Sequence, residues 1–145
     1  FLHGLIRGYS DSGVLRQEDR YFVGFKQNVL PLFPFGNAKS FFTSGLAREE
    51  ASFQCWLRHG ATKNYYVSGK LWKFENYRWG KLDGQVQTFY ESGKLATDEF
   101  FKNGKRQGIN RRYFENGKLW EESEWGNGER IGNLKLYSND GSLLN

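Results

Sequence analysis

Few residues in this chain have the side chains that chemistry needs. Two histidines, His3 and His59, and one cysteine, Cys55, are its whole stock of imidazole and thiol among 145 residues. Cys55 lies four positions before His59, a separation that a turn could fold into a thiolate–imidazole pair. Glu121, Glu122 and Glu124 supply neighbouring carboxylates, the equipment of a glycosidase. The 18 glycines invite a search for a phosphate loop, but none opens a helix ending in Lys-Ser or Lys-Thr after a strand. Tyrosines and tryptophans interleaved with Lys and Arg are the types that stack on single-stranded bases.

The spacing argues against each of these. His3 and His59 each precede a glycine of one repeating register, two units apart, which at four strand spacings is about 19 Å, too far to share a metal. A single cysteine excludes an intrachain disulfide framework and any multi-cysteine metal site, and a half-buried thiol is the simpler reading of Cys55. The carboxylates recur from unit to unit, which suits a cross-strand ladder better than a unique site. Interleaved Glu91, Asp98, Glu115 and Glu122 would repel phosphate, so nucleic acid is disfavoured. No catalytic residue, metal or cofactor is expected, and the chain is read as non-enzymatic.

The elements that position these residues come from one repeat. Tyr90-Glu91-Ser92-Gly93-Lys94-Leu95 returns as Phe114-Glu115-Asn116-Gly117-Lys118-Leu119. The central glycine recurs as Gly13, Gly45, Gly69, Gly93, Gly117 and Gly141, first after 32 residues and then every 24. A second series, Gly4, Gly36, Gly60, Gly84, Gly108 and Gly132, runs nine residues ahead of it. An aromatic stands four before each central glycine, from Tyr9 to Tyr137, and another eight after five of them: Tyr21, Phe53, Tyr77, Phe101 and Trp125. A repeated apolar skeleton means a repeated fold.

Within a unit, two runs of aromatic and β-branched residues flank Ser92-Gly93 or Asn116-Gly117, and Lys102-Asn103-Gly104-Lys105 joins one unit to the next. Such pairs supply the positive φ of tight hairpins. The expected fold is all-β, an elongated antiparallel β-meander of about six 24-residue hairpin units in a single twisted sheet of about twelve strands. Residues 1–145 form one array, with units at about 1–32, 33–56, 57–80, 81–104, 105–128 and 129–145. A two-residue turn at Ser92-Gly93 places Glu91 opposite Lys94 and, in the same register, Arg111 opposite Glu122, Lys39 opposite Glu50 and Arg7 opposite Glu18. Lys63 meets Phe74 and loses its partner, and Gln87 faces Asp98. These charges are read as cross-strand pairs on a solvated face.

The motifs at 90–95 and 114–119, with Lys-Asn-Gly-Lys and then Gly108, resemble the MORN-type repeat, in the variant found in bacterial proteins similar to the YwqK family of antitoxins. The resemblance runs over nearly the whole chain and most strongly from about 60 to 132. It implies an array of hairpins with no active site of its own that binds other proteins, the partner of the antitoxin branch being a cognate toxin. The eukaryotic side of the family implies the alternative, a membrane-surface or scaffold module, which Lys94, Lys105 and Lys118 would support on anionic lipid.

Departures from the period are where binding specificity is expected. Residues 28–35, Asn-Val-Leu-Pro-Leu-Phe-Pro-Phe, hold both prolines and should bulge from the ladder. They either cap one sheet face or dock a partner through Leu32, Phe33 and Phe35. Trp72 and Trp120 share a repeat position held elsewhere by Arg16, Arg48, Ala96 and Leu144. They either cover a bare sheet face or anchor an interface. The expected function is therefore a protein-binding module, an antitoxin or immunity protein that occludes a toxin. The net charge of +5 favours an acidic partner over a strongly basic nuclease. Without a signal in view, a cytoplasmic location is expected, although the chain starts at Phe1 without any Met, so a signal or lipidation segment could have preceded it.

Overall fold

A computed structural model describes residues 2–23 and 35–144, and among them all regular structure is β. The strands are β1 (Leu2–Tyr9), β2 (Leu15–Val23), β3 (Phe35–Phe41), β4 (Ala47–Gln54), β5 (Leu57–Tyr65), β6 (Leu71–Arg78), β7 (Lys81–Phe89), β8 (Leu95–Lys102), β9 (Lys105–Arg106), β10 (Gly108–Tyr113), β11 (Leu119–Gly126), β12 (Glu129–Arg130) and β13 (Lys135–Leu136). They make one open antiparallel sheet in which sequence neighbours pair from β1 to β8 and onward through β10 and β11 to β12. The short β9 pairs with β8, and β13 with β11. The meander is the expected one; two expected strands are parted, at Gln107 and over residues 131–134, and after Gly141 only an isolated bridge of Tyr137 with Leu143 forms, which makes thirteen strands among the described residues.

The turns at the central glycines correct one expectation. Gly93 N–H bonds the Tyr90 carbonyl at 2.8 Å, and Tyr90 N–H bonds the Lys94 carbonyl at 2.8 Å. Tyr90, not Glu91, therefore stands across from Lys94, and the loop has three residues. The physical reason is a type I turn closed by a glycine in the left-handed region, where Gly93 has φ +88°. The outer register survives because a second irregularity cancels the first. Phe89 pairs with Leu95 but Thr88 with Thr97, so Ala96 is an unpaired bulge residue. Gln87 then faces Asp98, and the equivalent hairpins give Arg111 opposite Glu122, Lys39 opposite Glu50 and Arg7 opposite Glu18.

Three glycines of the second series, Gly60, Gly84 and Gly108, have positive φ and answer to a wider irregularity. Glu75 pairs with Val86 and Tyr77 with Leu82, so Asp83, Gly84 and Gln85 together oppose Asn76. Gly84 has φ +116°, and a Cβ there would lie 3.1 Å from the Asn76 Cβ. The narrow bulge thus goes with the central glycines and the wide one with these three, whereas Gly36 of the second series pairs regularly with Tyr21 and Phe53.

Side chains alternate between the faces of a strand. On one face, Ala51, Thr62, Glu75, Val86, Asn110 and Ser123 form a nearly solvent-free row, each 0–6% exposed. Most of that row is polar: the Glu75 carboxylate takes Lys73 Nζ at 2.8 Å and the Tyr77 hydroxyl at 3.3 Å, while the Asn110 side-chain amide nitrogen is buried without a partner among the described residues. Arginines roof the row. The Arg58 guanidinium lies 5.7 and 5.6 Å from the Phe53 and Tyr77 rings, and Arg106 lies 5.8 and 5.0 Å from Phe101 and Trp125. Four of the aromatics found eight residues after a central glycine, Phe53, Tyr77, Phe101 and Trp125, therefore flank the two arginines in pairs.

The opposite face carries the charge ladder. Lys39 reaches Glu50 at 2.7 Å, and Glu122 takes both Arg111 and Lys135 at 2.9 Å. Lys63, expected to lose its partner to Phe74, has Glu50 across from it on β4 instead. Glu50 is held below the usual carboxylate range by its bond from Lys39, against the opposing effect of burial and with help from Tyr65 and Lys63. Burial first, and then that carboxylate, pushes the Tyr65 phenol up to about 12.

Units are also tied together at the hairpin ends. Tyr66 and Tyr90 donate their hydroxyls to the carbonyls of Phe89 and Tyr113 at 2.7 and 2.6 Å. At the other end, the amides of Gly80, Gly104 and Gly128 bond the carbonyls of Arg58, Leu82 and Arg106. Each unit thereby ties its ends to the next, as a quasi-one-dimensional array requires.

Candidate functional site

The bulge beside each central glycine is where the scaffold presents a variable side chain. Its unpaired residue is Arg16 between β1 and β2, Arg48 between β3 and β4, Trp72 between β5 and β6, Ala96 between β7 and β8, and Trp120 between β10 and β11. A bulge re-aims its extra residue away from the ladder. Trp72 and Trp120 are 45% and 42% exposed. Each leans on an aromatic of its own turn, Trp72 on Tyr66 at 6.3 Å and Trp120 on Phe114 at 6.0 Å between ring centroids. They stand two units apart, about 19 Å over four strand spacings, with the small Ala96 between them.

The other sequence candidates fall elsewhere. Leu32 and Phe33 lie outside the described residues, and Phe35 opens β3 with its backbone across from Phe22. The central glycines Gly13, Gly45, Gly69, Gly93, Gly117 and Gly141 all have φ between +78° and +96°, so they serve the turns. Cys55 is a free, half-buried cysteine. Nδ1 of His59 accepts the Trp79 backbone N–H at 3.4 Å, and its ring stands edge-on to that of Trp79 at 4.7 Å.

Among the described residues, no group of three or more His, Cys, Asp or Glu is placed to hold a metal ion. Glu121 and Glu122 pair with Arg112 and Arg111. The Glu122 carboxyl is held low, chiefly by its bond from Lys135 and further by Arg111. A glycosidase acid needs the reverse shift, so this carboxylate is built as a ladder acceptor.

Residues 82–103 and 106–127 match the family model described as the MORN repeat variant. These two units are MORN-like repeats. The matched MORN segments contain the Ala96 and Trp120 bulges and residue Asn103 of the Asn103-Gly104 turn. No curated protein matches the chain. Among solved structures, the crystal structure of TarM aligns at 14% identity with a TM-score of 0.41, covering 75% of this chain and 20% of that one. The chain thus spans a fifth of that protein's length, and the likeness carries no functional weight. A MORN-type repeat in two of the units suggests a binding or repeat module.

Sequence reasoning named the Asn103-Gly104 turn at the other sheet edge but passed over the tryptophans in the turns before it. Trp56 is 75% and Trp79 48% exposed there. The signal was in the repeat itself, because the places 24 residues further on are held by Gly80 and Asn103.

Proposed function

We propose that this chain is a non-enzymatic protein-binding module, and in its finer form an antitoxin or immunity protein that silences a cognate toxin by covering it. The observation that supports this is the β-bulge that turns one variable residue per unit outward, with Trp72 and Trp120 half-exposed at that position. Tryptophan is the residue most often found as an interface anchor. A constant scaffold with a variable presented position is a means of choosing partners.

The membrane alternative has less support. Of its turn lysines, Lys105 donates to Asn127 Oδ1 at 3.1 Å and Lys118 to the Asp140 carbonyl at 2.6 Å. Both are held in ties between units. Neutralisation is tested by co-expression: a protein captured by this chain should arrest growth alone and cease to do so with the chain present. A captured protein that is harmless when expressed alone would remove the antitoxin form and leave the binding module.

A further inference from the structure

The hairpins on the edge away from the central glycines close with two-residue turns, and both residues of each have positive φ. Asn103-Gly104 and Asn127-Gly128 are the pairs such turns favour. The preceding turns are Trp79-Gly80 and Cys55-Trp56, with φ of +51° at Trp79, +52° at Cys55 and +65° at Trp56. A bulky side chain in the left-handed region opposes folding. Burial does not offset that here, since Trp56 is 75% and Trp79 48% exposed. Backbone strain of this kind clusters at ligand-contacting and switch regions.

The two turns form one surface. They stand two strand spacings apart, about 10 Å. Leu57, 45% exposed, bridges them: its Cδ2 lies 3.4 Å from where a Gly80 Cβ would stand, and the Gly80 amide bonds the Arg58 carbonyl at 2.8 Å. Residues 54–58, 78–81 and 102–105 contain Arg58, Arg78, Lys81, Lys102 and Lys105 and no acid. Arg58 is paired with Glu49 and Lys102 with Asp83. Arg78 and Lys81, exposed on either side of the Trp79-Gly80 turn, make no salt bridge among the described residues, although the nearby Asp83 feels the Arg78 charge.

We propose that this edge docks an acidic protein segment, with apolar side chains of the partner against Trp56, Leu57 and Trp79 and its carboxylates on Arg78 and Lys81. The proposal rests on the protein-binding reading and adds a second surface, on the opposite edge from Trp72 and Trp120. Of the five basic residues Arg58 and Lys102 are already in salt bridges and Lys105 is tied to Asn127, which leaves fewer than the roughly four to eight that hold a segment on anionic lipid, so a protein partner is favoured over a membrane.

The test uses a triple variant, Cys55→Asn, Trp56→Gly and Trp79→Asn, which writes the Asn-Gly turn into both places and should raise the melting temperature. Fluorescence anisotropy is read with a short peptide alternating Asp and Glu with Leu and Phe, with its Lys-for-acid counterpart, and alongside phosphatidylserine vesicles. The wild-type chain should bind the acidic peptide alone, and the variant should bind it at least about tenfold more weakly, the scale of a lost interface anchor. Equal binding by the variant, or equal binding of both peptides, overturns this edge and leaves the protein-binding reading standing. Binding to vesicles with neither peptide bound overturns this edge as a protein site and leaves the Trp72 and Trp120 surface to its own test. A variant that melts lower contradicts the strain on which the proposal stands.

Discussion

The backbone N–H of Trp79 points at Nδ1 of His59, twenty residues upstream, at 3.4 Å. Asn103 makes the same bond to Asp83 Oδ2 at 3.1 Å, and Asn127 to Gln107 Oε1 at 2.9 Å. The residue before the second-series glycine is thus a side-chain acceptor for the next unit's turn, and His59 serves the fold in that place. Substituting His59→Asp, which copies the next unit, should leave stability near wild type, whereas His59→Leu should cost about 1 kcal/mol through the unpaired amide. Urea unfolding of the two variants checks this.

The two glycine series should differ in sensitivity. A methyl group added at Gly93 would meet open space, but φ there is +88°, so Gly93→Ala should cost about 1 kcal/mol from backbone strain alone. Gly84→Ala adds a 3.1 Å approach to the Asn76 Cβ at φ +116° and should cost more. Thermal unfolding of both variants ranks them, and an equal cost would contradict the wide-bulge geometry.

Tyr66 and Tyr90 each bridge successive units through a hydroxyl-to-carbonyl bond of 2.7 and 2.6 Å. Tyr66→Phe and Tyr90→Phe should each lose about 1 kcal/mol, and the double variant about the sum, because the bonds share no partner. Denaturant midpoints of the three variants measure it.

Acid should loosen the array through its ladder carboxylates. Glu122 is held below its ordinary value of 4.5, chiefly by Lys135, and Asp140 is held down to about 2 by the Ser138 hydroxyl and then the Ser142 amide. A carboxylate depressed in the folded chain contributes stability that is full above its unfolded pKa and is lost as pH falls through the folded one. The unfolding midpoint should therefore hold steady above about pH 5 and decline from about pH 4.5 toward 2. Glu122→Gln should flatten that decline.

The repeat made the hairpin order legible from sequence, because glycine and aromatic positions recur only if the backbone does. The outer charge register was legible too, but through two errors that cancel: a two-residue turn in place of the three-residue one, and no bulge at Ala96. The arginine stacks were not seen, since Arg58 and Arg106 are 48 residues apart and their aromatic partners come from neighbouring strands that only the sheet brings beside them. Trp72 and Trp120 were visible as variants at one position, but not why that position varies freely. A bulge residue makes no ladder pair, so Arg, Ala and Trp fit it equally well.

The central claim is that the array binds a protein through that presented position. It is tested most directly by affinity capture from lysate of the source organism, followed by titration of the recovered protein, with the intact chain and with Trp72→Arg/Trp120→Arg. Arginine already occupies the bulge as Arg16 and Arg48, so the variant keeps the scaffold. The account predicts one stoichiometric protein bound at micromolar affinity or tighter, weakened at least about tenfold in the variant. No protein bound at that affinity, or equal binding by both chains, would contradict it.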